Sequence, residues 1–407
     1  MKRRDFLVQS SATLLALLTG IEKAMSITDP EESAIKTPIT LFLCGDVMTG
    51  RGIDQILLHP SEPQLYEPYV RNAKRYVELG EKINGVISKP VSFDYIWGDA
   101  LTELEKAAPD ARIINLETSV TSSNDYWLDK GINYRMHPKN IACLTAAKID
   151  CCILANNHVL DWGYAGLTET LSTLKNANIK TVGAGANWQE AQSPAILDVP
   201  SKGRIIVFSC GTASSGIPEE WAARAGKAGV NFLTDLSRRT VDQIAANVHQ
   251  IKRPGDVVVV SIHWGENWGY HIPQEHIDFA HMLIDSADVD MLHGHSSHHP
   301  IGLEVYKGKL ILYGCGDFLN DYEGIGGHEH YRSDLSLMYF AHIAPAPGKL
   351  VELEMVPMQI KNFRLNRASE ADANWLQRTL DEHSRKFNCH IELTSNQTLK
   401  TVLPKAT

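Results

Sequence analysis

Four histidines, His293, His295, His298 and His299, fall within seven positions of one stretch. Imidazole is the commonest side chain for holding a transition metal near neutral pH, so a metal site is the first chemistry to test. Eleven of the 17 histidines lie between His249 and His330, which makes the enrichment regional and unlike a terminal tag. Other chemistry-bearing residues stand just after apolar runs: Asp46 in Gly45-Asp46-Val47-Met48, Glu117 in Asn115-Leu116-Glu117, Asn157 and His158 in Asn156-Asn157-His158, and His263 in His263-Trp264-Gly265-Glu266. Taken singly, an Asp in such a place is by default a turn residue. Their recurrence at the same kind of place carries the inference.

The elements that must position them alternate. Apolar strand-like runs cover residues 39–44, 111–114, 151–155, 204–208, 256–262 and 289–292, and helical patterns fall near 100–108, 139–148, 164–177, 234–251 and 274–286. That order predicts an α/β protein with a largely buried sheet, in which ligands bind beyond the carboxyl ends of the strands. Residues 53–98 are polar, with a helical pattern at 69–84, and are expected to form an insertion over the site. Beyond the histidines, 302–306 and 309–313 flank Lys307-Gly308 as a hairpin. Strands at 335–341 and 351–356 and an amphipathic helix over 368–387 follow.

A chain of 407 residues holds one large core with insertions, or two domains. A net charge of −9 argues against nonspecific nucleic-acid binding, since Lys and Arg hold phosphate backbones. The seven cysteines sit mostly in apolar runs and contain no paired Cys-x-x-Cys units, so they read as small core residues. At the N-terminus, Arg3-Arg4-Asp5-Phe6-Leu7 and the moderately apolar stretch after it have the pattern of a twin-arginine export signal over residues 1–26. Its polar content suits a membrane span poorly. A periplasmic or otherwise extracytoplasmic location is expected, with a short uncleaved membrane anchor as the alternative.

The five blocks, from Gly45-Asp46-Val47-Met48 to the run Gly294–His298, resemble in residues and order the capsule-synthesis CapA family, which is associated with poly-γ-glutamate capsules and is itself similar to the calcineurin-like metallophosphoesterases. The resemblance covers residues 38–321, with 322–407 completing the fold. It implies an αββα sandwich of two sheets flanked by helices, with two divalent metal ions (Mn, Fe, Zn or Mg). Asp46, Glu117 and His298 would hold one; Glu117, Asn157, His263 and His295 the other, Glu117 bridging. It makes His158 the general acid and gives Arg51 and Arg135 to an anionic substrate; a salt bridge is the plain alternative for each.

Two positions depart from the superfamily pattern. Met48 stands where a His ligand is usual, leaving His293 as a reserve ligand, and Asp317 in Gly316-Asp317-Phe318 is either a histidine's partner or a turn residue. His299, before Pro300, keeps a structural role. The function implied is an exported hydrolase or transferase acting on a phosphoester or anionic polymer in capsule metabolism. The alternative is a non-catalytic accessory that binds the polymer and a membrane-bound synthase. A metallo-β-lactamase reading of His293-x-His295-x-Ser297-His298 fails for want of an Asp at Ser297.

Overall fold

Side-chain parity along the strands decides how this chain layers. Ile39, Leu41 and Leu43 point one way from the strand Ile39–Val47, and Phe42 and Cys44 the other; both sets are buried. Val257 and Val259 likewise oppose Val258, Val260 and Ile262 on Val257–His263. A strand apolar on both faces needs cover on both. In the computed structural model, which describes residues 37–402, that cover comes from a second sheet on one face and helices on the other.

The first sheet has ten strands. Its centre is Ile39–Val47, parallel to Ala111–Leu116, which is followed outward by Cys151–Ile153 and Lys180–Val182. On the other side Ile39–Val47 pairs antiparallel with Leu335–Ala344, Ile39 opposite Ile343, and Lys349–Ile360 pairs next. Asp317–Leu319 adds a short parallel pairing at the carboxyl end, Asp46 opposite Asp317. The seven-stranded second sheet is built on the parallel strands Gly203–Thr212, Val257–His263, Met291–His295 and Lys309–Leu312, with Leu303–Tyr306 closing a hairpin on the last.

The inner faces of both sheets share one core, in which Leu41, Ile113 and Ile153 meet Val207, Val259 and Met291. Ala100–Ala107 and Gly163–Asn176 bury Leu104, Leu167 and Leu174 against the outside of the first sheet. Arg238–Ile251 and Gln274–Ser286 bury Val241, Val248, Phe279 and Leu283 on the second. The layers are therefore helix, sheet, sheet, helix. Each fully buried Leu, Ile, Val or Phe contributes roughly 1.5–3 kcal/mol by leaving water.

Three segments differ from the sequence expectation. The helix expected near 139–148 is only Ala142–Ala146 after a 3-10 turn over Pro138–Asn140, because the buried Asn140 amide is tied to Asp54 Oδ1 and His59 O and Lys148 turns with φ +52°. Residues 53–98 contain Lys74–Asn84 and send Ile53, Ile56, Val77, Ile96 and Trp97 into the outer core of the first sheet. The run expected as a strand at 289–292 is a strand over Met291–His295, so His293 and His295 lie within it. The proposed signal at 1–26 lies outside the described residues. Among the described residues no helix is long and apolar enough to cross a membrane.

Candidate metal centre

Parallel strands of both sheets end at one seam. Ile39–Val47 brings Asp46, Ala111–Leu116 is followed by Glu117, and Cys151–Ile153 leads to Asn156, Asn157 and His158. Across the seam, register places His263 directly beside His295. Asp46, His263 and His295 have potential ligand atoms all within 4.8 Å of one another. The Nδ1 atoms of the two histidines lie 2.6 Å apart, and His295 Nδ1 is 3.9 Å from Asp46 Oδ1. His263 Nε2 is 3.2 Å from Asn157 Oδ1 and 4.0 Å from Glu117 Oε1. Asn115 donates Nδ2 to Asp46 Oδ1 at 2.7 Å and receives Asn156 Nδ2 at 3.0 Å, while the Ser296 N–H donates to Asp46 Oδ2.

The electrostatics favour a cation there. Burial and the neighbouring Asp317 push Asp46 up to about 7, against the Asn115 hydrogen bond. Burial and then Asp46 raise Glu117 well above the usual carboxylate range. Burial, followed by neighbouring histidines, drives His263 and His295 down and keeps them neutral. Crowded, buried carboxylates facing neutral imidazoles and an amide oxygen are costly alone and form an ordinary donor set for a divalent transition metal. The residues present fit such an ion.

His158 stands beside this cluster, its Nε2 3.6 Å from Glu117 Oε1. Its Nδ1 is 2.6 Å from Asp161 Oδ2, and Lys130 Nζ lies 3.0 Å from the same nitrogen and 2.6 Å from Asp161 Oδ1. A carboxylate oxygen only accepts, so Nδ1–H donates to Asp161 and Nε2 is left to exchange a proton on the seam side. Burial lowers His158 to about 4 despite Asp161. Neither Lys130 nor Asp161 was singled out from sequence, and no periodic pattern marks them.

At the other end, His298 Nδ1 pairs with Asp317 Oδ1 at 2.8 Å, and Asp317 Oδ2 accepts from Asn320 Nδ2. Asp317 is thus a histidine's partner. Burial opposes a charge on His298, but the carboxylate outweighs it and the pKa rises. The ring sits between Trp268 and Tyr322, whose hydroxyl lies 3.6 Å from Met48 Sδ.

Three sequence assignments require correction. Arg51 does not face a substrate: Nε and Nη2 donate to Asp321 and Nη1 to Glu67, all nearly fully buried, and its guanidinium lies over Tyr76 and near Tyr134. Arg135 donates to Ser123 O, Asn124 Oδ1 and Glu62 O while stacked 3.8 Å from the Trp162 ring centroid. His293 cannot stand in for a ligand, because Nε2 is 2.8 Å from Cys44 O and Nδ1 is 3.0 Å from Ser261 Oγ. His299 accepts the Gly269 N–H and stacks on Tyr331.

The fold is a two-sheet sandwich flanked by helices, with carboxylates and imidazoles gathered where its parallel strands end. The chain belongs to the bacterial capsule synthesis protein PGA_cap family, which matches residues 40–322. It is similar to the probable polyglutamine synthesis accessory protein of Mycobacterium tuberculosis, 49% identical over 369 residues that span 90% of this chain and 97% of that one. The capsule biosynthesis protein CapA of Bacillus anthracis is 23% identical over 310 residues, 76% of this chain and 66% of that one. A solved structure, a novel phosphatase from Mycoplasma pneumoniae, aligns with TM-score 0.46 and 14% identity over 80% of this chain and 94% of that chain.

Proposed function

We propose that this protein acts in the synthesis of a capsule or poly-γ-glutamate polymer as a metal-dependent hydrolase or transferase, exported by the pattern at Arg3 and Arg4. Its substrate would be a phosphoester or an anionic polymer. The observation that carries the reading is the placement of His158, oriented by Asp161 and opening through Nε2 toward Glu117, beside the Asp46, His263 and His295 cluster.

Asp46, His263 and His295 would hold one ion, with Glu117, Asn157 and His298 completing two adjacent sites. When bound, such ions supply Lewis acidity to an anionic oxygen. His158, its Nδ1–H given to Asp161, would take a proton on Nε2 from the attacking group and pass it to the leaving group, while Asp161 fixes the orientation of the ring. Lys130 Nζ, 2.6 Å from Asp161 Oδ1, helps hold that carboxylate in place. Half-buried Trp268 and Tyr322 flank the His298 ring.

The test is metal analysis of the purified protein with assays on a chromogenic phosphodiester and on poly-γ-glutamate. His158→Gln should keep metal and lose turnover by about 10²–10⁴-fold. Folded protein that binds no divalent ion, with an unaltered capsule after His263→Ala, would sink the catalytic reading. A second reading, a polymer-binding accessory of a membrane synthase, draws support from the relative's name as an accessory protein. It requires polymer binding and capsule formation to survive His158→Gln.

A further inference from the structure

His293 has both ring nitrogens occupied, and their partners have fixed hydrogen-bonding roles. Cys44 O, 2.8 Å from Nε2, is a carbonyl and only accepts, so Nε2 carries the proton. In the neutral ring Nδ1 is then an acceptor, and the group 3.0 Å away is Ser261 Oγ, which donates its single proton there. Ser261 Oγ also lies 2.9 Å from His295 Nε2. Its proton being committed to His293, the hydroxyl accepts at that contact, and His295 carries its proton on Nε2. The lone pair of His295 is thereby placed on Nδ1, the atom that faces His263 and Asp46. Cys44, Ser261, His293 and His295 are each 0% exposed, so bulk water does not interrupt the chain of bonds.

We propose that His293 and Ser261 are positioning residues that set the tautomer of His295, holding its Nδ1 unprotonated and aimed at the metal centre. Register builds the relay: Ser261 lies opposite His293 and His263 opposite His295 on adjacent parallel strands. Residues two apart on a strand share a face, so all four side chains meet on one side of the second sheet. The tautomer follows from the hydrogen bonds alone, and its use as a ligand rests on the metal reading above. Partners of this kind typically change metal affinity about 10–100-fold when removed.

Leucine at 293 frees the Ser261 proton to point at His295 Nε2. The imidazole proton then moves to Nδ1, toward Asp46, where it opposes a metal. Asparagine offers a carbonyl oxygen near the former Nδ1 and keeps Ser261 directed away from His295. The experiment uses metal-free full-length protein labelled with ¹⁵N-histidine, long-range ¹H–¹⁵N correlation to read tautomers, and His295→Gln to assign the ring. Zn²⁺ titration against a competing chelator follows, with circular dichroism confirming the fold.

Wild type and His293→Asn should show the Nε2–H form. His293→Leu should gain the Nδ1–H form and bind Zn²⁺ about 10–100-fold more weakly. If the leucine variant fails to fold, Ser261→Ala is read the same way, since it removes the acceptor that His295 Nε2–H has among the described residues. The relay is overturned if wild type shows Nδ1–H, or if a folded His293→Leu or Ser261→Ala keeps the wild-type tautomer, whatever its affinity. Wild type with the Nε2–H form but no Zn²⁺ binding upholds the relay and overturns the metal reading instead.

Discussion

Replacing Arg51 with methionine separates a structural pillar from a substrate clamp. The guanidinium is the cation facing Asp321 and Glu67, side chains 1% and 0% exposed, at 2.5 and 3.0 Å. The Gly52 N–H and Tyr76 hydroxyl also bond these carboxylates but bring no charge. Arg51 moreover holds φ at +47°, a conformation that costs a non-glycine residue about 1–3 kcal/mol and persists only where its surroundings impose it. Removing one partner of a buried ion pair costs about 3–5 kcal/mol, because the remaining charge loses its counter-ion in a low-dielectric site. In a chain of this size that lowers the melting temperature by roughly 4–6 °C. Adding Asp321→Asn should restore part of the loss, since it removes one stranded charge. Differential scanning calorimetry of Arg51→Met and the double variant measures both effects. Melting within about 1 °C of wild type, with weakened binding of phosphate or polyglutamate, would refute the pillar and return Arg51 to the ligand.

Other expectations follow from separate parts of the chain. Burial against Trp264 lowers His276 to about 4, so between that value and its unfolded value near 6.5 the unfolded chain binds more protons. Stability from this group is complete above about pH 6.5 and lost as pH falls toward 4, up to about 3 kcal/mol; guanidinium unfolding of metal-free wild type and His276→Phe at pH 7.5 and 5 should show the wild type losing more. Chelation should lower the melting temperature and Zn²⁺ or Mn²⁺ restore it, by about 3–4 kcal/mol of stability at 100–1,000 times the dissociation constant; calorimetry with and without chelator measures it. Arg3→Lys with Arg4→Lys should leave the protein in the cytoplasm, which fractionation and immunoblotting read directly.

What was legible in the sequence was whatever local pattern encodes. Asp46, Glu117, His263 and His295 each end or follow an apolar β run, and the α/β alternation fixed which end of the sheet they share. The roles of Arg51 and Arg135 were misread because a charged residue's burial is invisible locally: Asp321 reaches Arg51 from 270 positions away. His293 was taken for a spare ligand because its occupation by Cys44 and Ser261 depends on register between distant strands. Lys130 went unnoticed for a similar reason, reaching His158 from 28 positions away, whereas Asp161 lies three residues from His158 in a turn that no periodic pattern marks. The Pro138 region kept a helical pattern yet yielded a short helix, tertiary hydrogen bonds to Asn140 overriding propensity.

The antiparallel partner of Ile39–Val47 is Leu335–Ala344, which lies beyond the family match ending at 322. During synthesis at roughly 5–20 residues per second, the Asp46 strand waits on the order of tens of seconds for that neighbour, its edge open to mispairing. A chain stopped at 322 would leave Ile39–Val47 paired with Ala111–Leu116 but with its other edge open along most of its length.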